Sequence, residues 1–419
     1  MVVCHDTVDV VILGAGMAGM SAAARAAEAG ARVVVLERAP TIGGSAVLSH
    51  GNVWTVANAA QLETEDPGEY RRHATGIVAD FESAMGWLCR FGGAVGSRKY
   101  DSERKGQRFD IPLTFLRMAQ RIQSAGGGLI TSAEVEEVVS TTSGFQIKVF
   151  GGSRGMRLVA KALVIATGGR QADQGVRNEL APGASAMLRG NPYSDGAGIR
   201  HALSLGAAVN FANRGFYGHL VPSRIEPLLG LDLLALTFYH SAQSILLDRS
   251  GERFTDELLG DARNATALAT RGGLGLLLWT EAVQQVATTS RSPVSPAMNR
   301  WQYARDRGGR VARVARQTDI EGAANVWGFG GVSDMRALGE GPVYLAEVRP
   351  AITFTYGGLR ATATGRVLDV EGNPIPNLFT AGADMSDIYH LGYCGGLSAA
   401  TVTGTRAGGA AAVAALSKA

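Results

Sequence analysis

Val8-Asp9-Val10-Val11-Ile12-Leu13-Gly14-Ala15-Gly16-Met17-Ala18-Gly19 is the stretch whose reading decides the fold. Residues 8–13 form an apolar run that ends at Gly14, the pattern of a strand buried on both faces. From Met17 to Glu28 small residues dominate without a breaker, until Gly30 stops the segment as a helix C-cap does. Residues 33–37, Val-Val-Val-Leu-Glu, are a second buried strand. Strand, helix and strand in that order predict the opening crossover of a doubly wound parallel sheet, and an α/β fold class.

Gly14, Gly16 and Gly19 make a G-x-G-x-x-G that follows a strand and opens a helix. The first glycine permits the tight turn, the second lets a pyrophosphate approach the backbone, and the third lets helix pack closely on strand. The amides of Ala15, Met17 and Ala18 lie at the positive end of the helix dipole, where phosphate binds. Glu37 ends the second strand, where a carboxylate accepts hydrogen bonds from a ribose diol. The segment is therefore expected to bind a dinucleotide.

Working outward, 58–120 is more polar and is expected to form helices and loops. Residues 145–149 and 162–166 look like strands around a turn at 150–153. Near Gly215 the character changes: 216–345 hold most of the tryptophans, a basic run at 300–316 and no further glycine–strand units. The strand–turn pattern then returns, through Leu378-Phe379-Thr380-Ala381 and a final Ala-rich helix. The expected architecture is a Rossmann-like domain built from 1–215 and 346–419, with an α+β capping domain inserted at 216–345.

Composition narrows the function. Of 419 residues 46 % are apolar and 18 % charged, enough to fill a large core and too few charges for a disordered chain. Forty basic and 37 acidic residues leave +3, too balanced for a nucleic-acid or anionic-membrane binder. Six arginines at 300–316 stand beside two acids and apolar residues, and are read as a solvated helix or loop. Cys4, Cys89 and Cys394 are too far apart for a disulfide framework, and the histidines too dispersed for a metal site. The start lacks a secretory pattern and no apolar run approaches membrane-spanning length, so a cytoplasmic protein is expected.

FAD and NAD share the glycine fingerprint. FAD, with its extended tricyclic ring, needs further backbone contact points, and three segments supply them: Gly43-Gly44-Ser45, Ala166-Thr167-Gly168-Gly169, and Gly382-Ala383-Asp384. Together and in this order they resemble the FAD-binding domain of the fumarate reductase/succinate dehydrogenase flavoprotein superfamily, over 8–55, 160–215, 247–264 and 349–410. The resemblance implies that Glu37 holds the adenosine ribose, and Gly43, Gly44 and Ser45 the pyrophosphate and ribityl region. Asp384 stands where the family usually has Glu, bonding a ribityl hydroxyl. Arg38, Gly51 and Asp195 are grouped with the cofactor contacts. Succinate dehydrogenases anchor FAD through a His where this chain has Ser45, which implies non-covalent FAD.

The substrate side rests on Tyr393-Cys394-Gly395-Gly396-Leu397-Ser398, which opens the last helix. In the superfamily such a helix start, here Gly395, Leu397 and Ser398, faces the flavin pyrimidine edge. Fumarate reductases carry a carboxylate-clamping Arg where this chain has Tyr393. The loop resembles more closely the 3-ketosteroid Δ1-dehydrogenase branch, in which a Tyr hydroxyl and a backbone amide, matched here by Tyr393 and Leu397, hold a ketone oxygen. Asp261 falls where that branch has a catalytic Tyr, with Arg263 two residues on. Tyr356 replaces a family His near a Gly-Gly pair. In Phe216-Tyr217-Gly218-His219, His219 is a candidate acid/base with Tyr217 beside it. The expectation is an FAD-dependent oxidoreductase acting on a CH–CH bond next to a carbonyl, with a small carbonyl substrate and an unidentified electron partner. A fumarate-reductase-like enzyme using Arg263 and a non-catalytic flavin-binding protein stand as alternatives.

Overall fold

A computed structural model describes residues 7–150, 155–184, 186–213, 215–289, 297–332, 338 and 341–417. The turn expected at 150–153 lies mostly outside them, as does Cys4. The chain divides into two compact units. One comprises Met1–Arg170, Tyr193–Arg214 and Thr355–Ala419, the other Gln171–Pro192 and Gly215–Phe354.

The first unit is built on an eight-stranded sheet. Five of its strands are parallel, in the order Pro374–Thr380, Met156–Ile165, Thr7–Leu13, Val33–Leu36, Gly128–Ile130. Thr7–Leu13 sits at the centre, and Val10, Val11 and Ile12 are fully buried. Met17–Glu28 follows as the crossover helix, and Gly30 continues the chain at φ +89°. The Ala-rich helix Gly396–Leu416 packs against it at backbone distance. A Cβ on Gly404 would lie 2.4 Å from the Ala18 carbonyl oxygen, and one on Gly408 2.1 Å from that of Ala22. Small residues thus serve here as the packing surface itself.

Residues 58–120 are not helices and loops alone. Helices Ala59–Glu65, Ala74–Cys89 and Ile111–Ser124 are present, but Ala94–Tyr100 and Arg104–Phe109 form an antiparallel pair joined to Asn52–Val56. Every residue of Ala94–Tyr100 is exposed, so no buried/exposed alternation marks it as a strand.

The second unit centres on the 13-residue strand Val343–Thr355, which pairs with Gly275–Thr280, Val311–Val314, Phe216–Pro222 and Met187–Leu188. The parallel pairing of Met187 with Ala351 draws 171–192 into this unit, ahead of the boundary expected near 215. The basic run is largely solvent-facing, as expected, with Arg305, Arg307, Arg313 and Arg316 exposed. Arg307 pairs with Asp232, Arg310 with Glu347 and Arg313 with Glu281, while Arg300 is buried. Among the described residues no helix is long and apolar enough to cross a membrane.

Candidate functional site

The glycine fingerprint forms a cradle in the first unit. Gly14 adopts φ +98°, and a Cβ there would meet the Ala166 carbonyl oxygen at 2.3 Å. On Gly19 a Cβ would meet the Gly14 carbonyl oxygen at 1.9 Å, so helix and turn touch with no room for a side chain. Gly16 differs: a Cβ there would have only the Gly44 Cα nearby, at 3.9 Å. The second glycine is bare toward open space, as the approach of a pyrophosphate demands. This is the observation that fits the residues to a dinucleotide such as FAD.

Glu37 is buried and holds the cradle from below. Its carboxylate accepts the Ala15 amide at 2.7 Å and the Ala39 amide at 2.8 Å. Two carboxylate oxygens offer about four lone-pair directions, so acceptor capacity is left for a diol. Arg38 and Asp195 come together as an ion pair at 3.0 Å, with the guanidinium over the Tyr193 ring. Burial raises the Asp195 carboxyl, but the Arg38 hydrogen bond and charge prevail and hold it below its ordinary value.

Asp384 is fully buried and organises the loop after Met156–Ile165. It accepts the Thr167 hydroxyl at 2.9 Å, the Gly168 amide at 3.0 Å, the Gly169 amide at 2.9 Å, and also the Thr167 amide. Burial raises this carboxyl above its ordinary range, and the four donors counteract that. These bonds knit two chain segments together. Gly51 lies at the hairpin, its carbonyl accepting the Phe109 amide at 2.8 Å, and Ser45 lies in the short 3₁₀ turn Gly44–Leu48.

At the start of Gly396–Leu416, the Tyr393 hydroxyl oxygen accepts the Gly396 amide at 2.8 Å. The ring stands edge-on to Trp54, centroids 5.5 Å apart. Gly395 must be glycine, because a Cβ would lie 1.8 Å from the Trp54 carbonyl oxygen. Ser398 donates to that same oxygen at 2.7 Å, and Leu397 packs on the core of the unit. Tyr356 supports the loop by donating to the Gly392 carbonyl at 2.6 Å while stacking on Tyr389. Burial pushes the Cys394 thiol up to about 12, which removes it as a thiolate nucleophile.

Asp66 escaped the sequence reading. It is fully buried and accepts the amides of His390, Leu391 and Gly392 at 2.6–3.1 Å, fixing the segment that leads into Tyr393. No motif surrounds it, so nothing local announces it.

In the second unit, alternation along Phe216–Pro222 puts Tyr217 and His219 on one face, their rings edge-on at 4.9 Å. His219 is buried, and its Nδ1 lies 2.5 Å from Asp261 Oδ2 at the start of helix Asp261–Thr270. Asp261, expected to contact substrate, holds the candidate acid/base, while Arg263 lies in the first turn of the same helix. With Nδ1–H on the carboxylate, Nε2 keeps its lone pair. That Nε2 is buried and has no hydrogen-bond partner. Burial pushes the imidazole below its ordinary value, the Arg189 charge adds to this, and Asp261 opposes both. Among the described residues no cluster of His, Cys, Asp or Glu is able to hold a metal ion.

The FAD binding domain family matches residues 9–90 and 90–398. The chain is 25 % identical to a cytochrome-type fumarate reductase of Shewanella frigidimarina, over 94 % of this chain and 74 % of that protein. It is 24 % identical to a 4-oxocyclohexanecarboxylate 2-dehydrogenase of Sinomonas cyclohexanicum, over 93 % of this chain and 90 % of that one. In fold it resembles a 3-ketosteroid Δ1-dehydrogenase of Sterolibacterium denitrificans, with a TM-score of 0.75 at 16 % identity, covering 97 % of this chain and all of the other. A two-part match that runs almost from end to end, on a parallel sheet with the glycine cradle in place, settles the family: the chain belongs to the FAD binding domain family and is a flavoprotein oxidoreductase.

Proposed function

We propose that the enzyme oxidises, or in reverse reduces, a carbon–carbon bond next to a ketone. The observation that carries this reading is the Tyr393 hydroxyl, which accepts an amide from the first residue of a 21-residue helix. An N–H donated into a phenol oxygen polarises its O–H and makes it a stronger donor. Beside it the Leu397 amide, in the first turn, has no intrahelical acceptor. These two donors hold the ketone oxygen and stabilise negative charge that develops there. Within the second unit His219, oriented by Asp261, is the candidate base for the proton that such a reaction releases. FAD, which the glycine cradle of Gly14, Gly16 and Gly19 and the Glu37 carboxylate would hold, would supply the hydride-accepting group in one direction and the hydride donor in the other.

Two further features support the ketone over a dicarboxylate. A phenol stands at the position where the fumarate-reductase branch has an Arg, and one of the relatives is named for a ring ketone. The test is anaerobic. Dithionite-reduced holoprotein is expected to be reoxidised by cyclic enones and left reduced by fumarate. Reoxidation by fumarate at the rate of the best enone overturns the reading and points to Arg263.

We also infer that FAD is held without a covalent bond, since Ser45 cannot form a histidyl link. Acid precipitation of the holoprotein is expected to leave all flavin in the supernatant. In a separate dialysis of the native protein, Glu37→Ala lowers flavin retention, by about 1–3 kcal/mol of binding, because a charged acceptor for the ribose is lost. Flavin that stays with the precipitate, or unchanged retention in the variant, contradicts the respective inference.

A further inference from the structure

Arg189 is buried in the second unit, yet no carboxylate pairs with it among the described residues. Its guanidinium donates only to neutral hydroxyls: Nε to Thr237 Oγ1 at 2.9 Å, Nη1 to Thr353 Oγ1 at 2.9 Å and Nη2 to Tyr239 Oη at 3.1 Å. A guanidinium has five N–H donors, so the fork is held in place with donors to spare. Burying a cation without an anion is costly, and hydroxyl dipoles offset only part of that cost. The three hydroxyls orient the group without neutralising it.

A second observation lies one residue away in space. Tyr239, whose hydroxyl meets Arg189, sets its ring edge-on to His219 at 5.2 Å. His219 Nε2 is the buried nitrogen that has no partner. The Arg300 guanidinium lies over the same Tyr239 ring, 5.5 Å from its centroid. Positive charge therefore gathers on this side of the unit. The Asp261 carboxylate is engaged on the far nitrogen of His219.

We infer that Arg189 binds a carboxylate of the substrate, so that the substrate is an oxo acid, a ketone carrying one carboxylate, rather than a neutral ketone. Each nitrogen of the fork already donates to a hydroxyl, which leaves one further N–H on Nη1 and one on Nη2 to meet the two oxygens of a carboxylate. This rests on the proposed ketone chemistry, and it concerns a site within the second unit.

The probes are 4-oxocyclohexane-1-carboxylate, its methyl ester, and cyclohexanecarboxylate, which lacks the ketone. Each is titrated into oxidised holoprotein by calorimetry in a buffer free of small anions, and flavin bleaching is followed in parallel. The oxo acid is expected to bind about 10- to 150-fold more tightly than its ester, the range of a hydrogen bond to a charged group. Arg189→Gln abolishes that preference, and Arg189→Lys retains part of it, because a lysine keeps the charge but not the fork. Flavin content and far-ultraviolet dichroism verify that the variants fold, and the wild-type comparison needs no variant. An ester that binds and bleaches as well as the acid overturns the Arg189 assignment while the ketone reading stands. Cyclohexanecarboxylate that binds as tightly as the oxo acid, with no bleaching by either ketone, upholds Arg189 and sinks the ketone reading. Failure of all three probes to bind at millimolar concentration also overturns the assignment.

Discussion

Tyr393→Phe lowers the rate of flavin reduction by about 10²–10³-fold, equivalent to about 3–4 kcal/mol, the usual loss for one oxyanion-type donor. The substitution keeps the ring that stands edge-on to Trp54 and removes only the hydroxyl. It also deprives the Gly396 amide of its acceptor, but that amide lies in the first helical turn, where water can replace a lost partner. Flavin content and thermal stability therefore change little. Stopped-flow reduction with a ketone that bleaches the wild-type flavin is the measurement. A wild-type rate in the variant means that Tyr393 only packs. Loss of flavin instead means that its hydroxyl holds the helix start together, with no part in polarising a carbonyl.

His219→Gln is expected to lower the same rate by about 10²–10⁴-fold, the range for a positioned proton-transfer group. Glutamine has the size to reach Asp261 but no basic nitrogen. Burial and the Arg189 charge depress the imidazole, so at neutral pH the wild-type ring is in its neutral, base-competent form. The rate should hold on a plateau there and fall on acidification, with the acid limb below the ordinary histidine value of 6.5. Asp261→Asn removes the charge that opposes the depression. Its acid limb therefore moves to still lower pH, while the maximal rate drops because the ring has lost the anion that orients it. A purely structural role for Asp261 predicts a lower yield of folded protein with an unmoved limb.

What the chain declares locally is the nucleotide half. Gly14, Gly16 and Gly19 fall within six residues, and their spacing follows from the geometry of one strand–turn–helix corner, so a linear reading recovers it. Glu37 is legible for the same reason: it ends the neighbouring strand and reaches back to the Ala15 amide. The helix Met17–Glu28 matches its expected bounds because composition and the stop at Gly30 agree. The sequence alone therefore determined the parallel sheet, the cofactor class and the residues of the cradle.

Only the tertiary structure decided how the chemistry-bearing side chains are partnered. His219 and Asp261 are 42 positions apart, Arg189 and Thr353 are 164 apart, and Asp66 meets Gly392 across 326. No local period links such residues, because each contact is set by where elements distant in the chain come to lie. The hairpin at Ala94–Phe109 was hidden for a different reason: its first strand is wholly exposed, and solvent imposes no alternation on it. Met187–Leu188 joined the second unit through a two-residue pairing too short to leave a pattern. The setting of Arg189, buried among three neutral hydroxyls, exists only once the chain has folded around the charge.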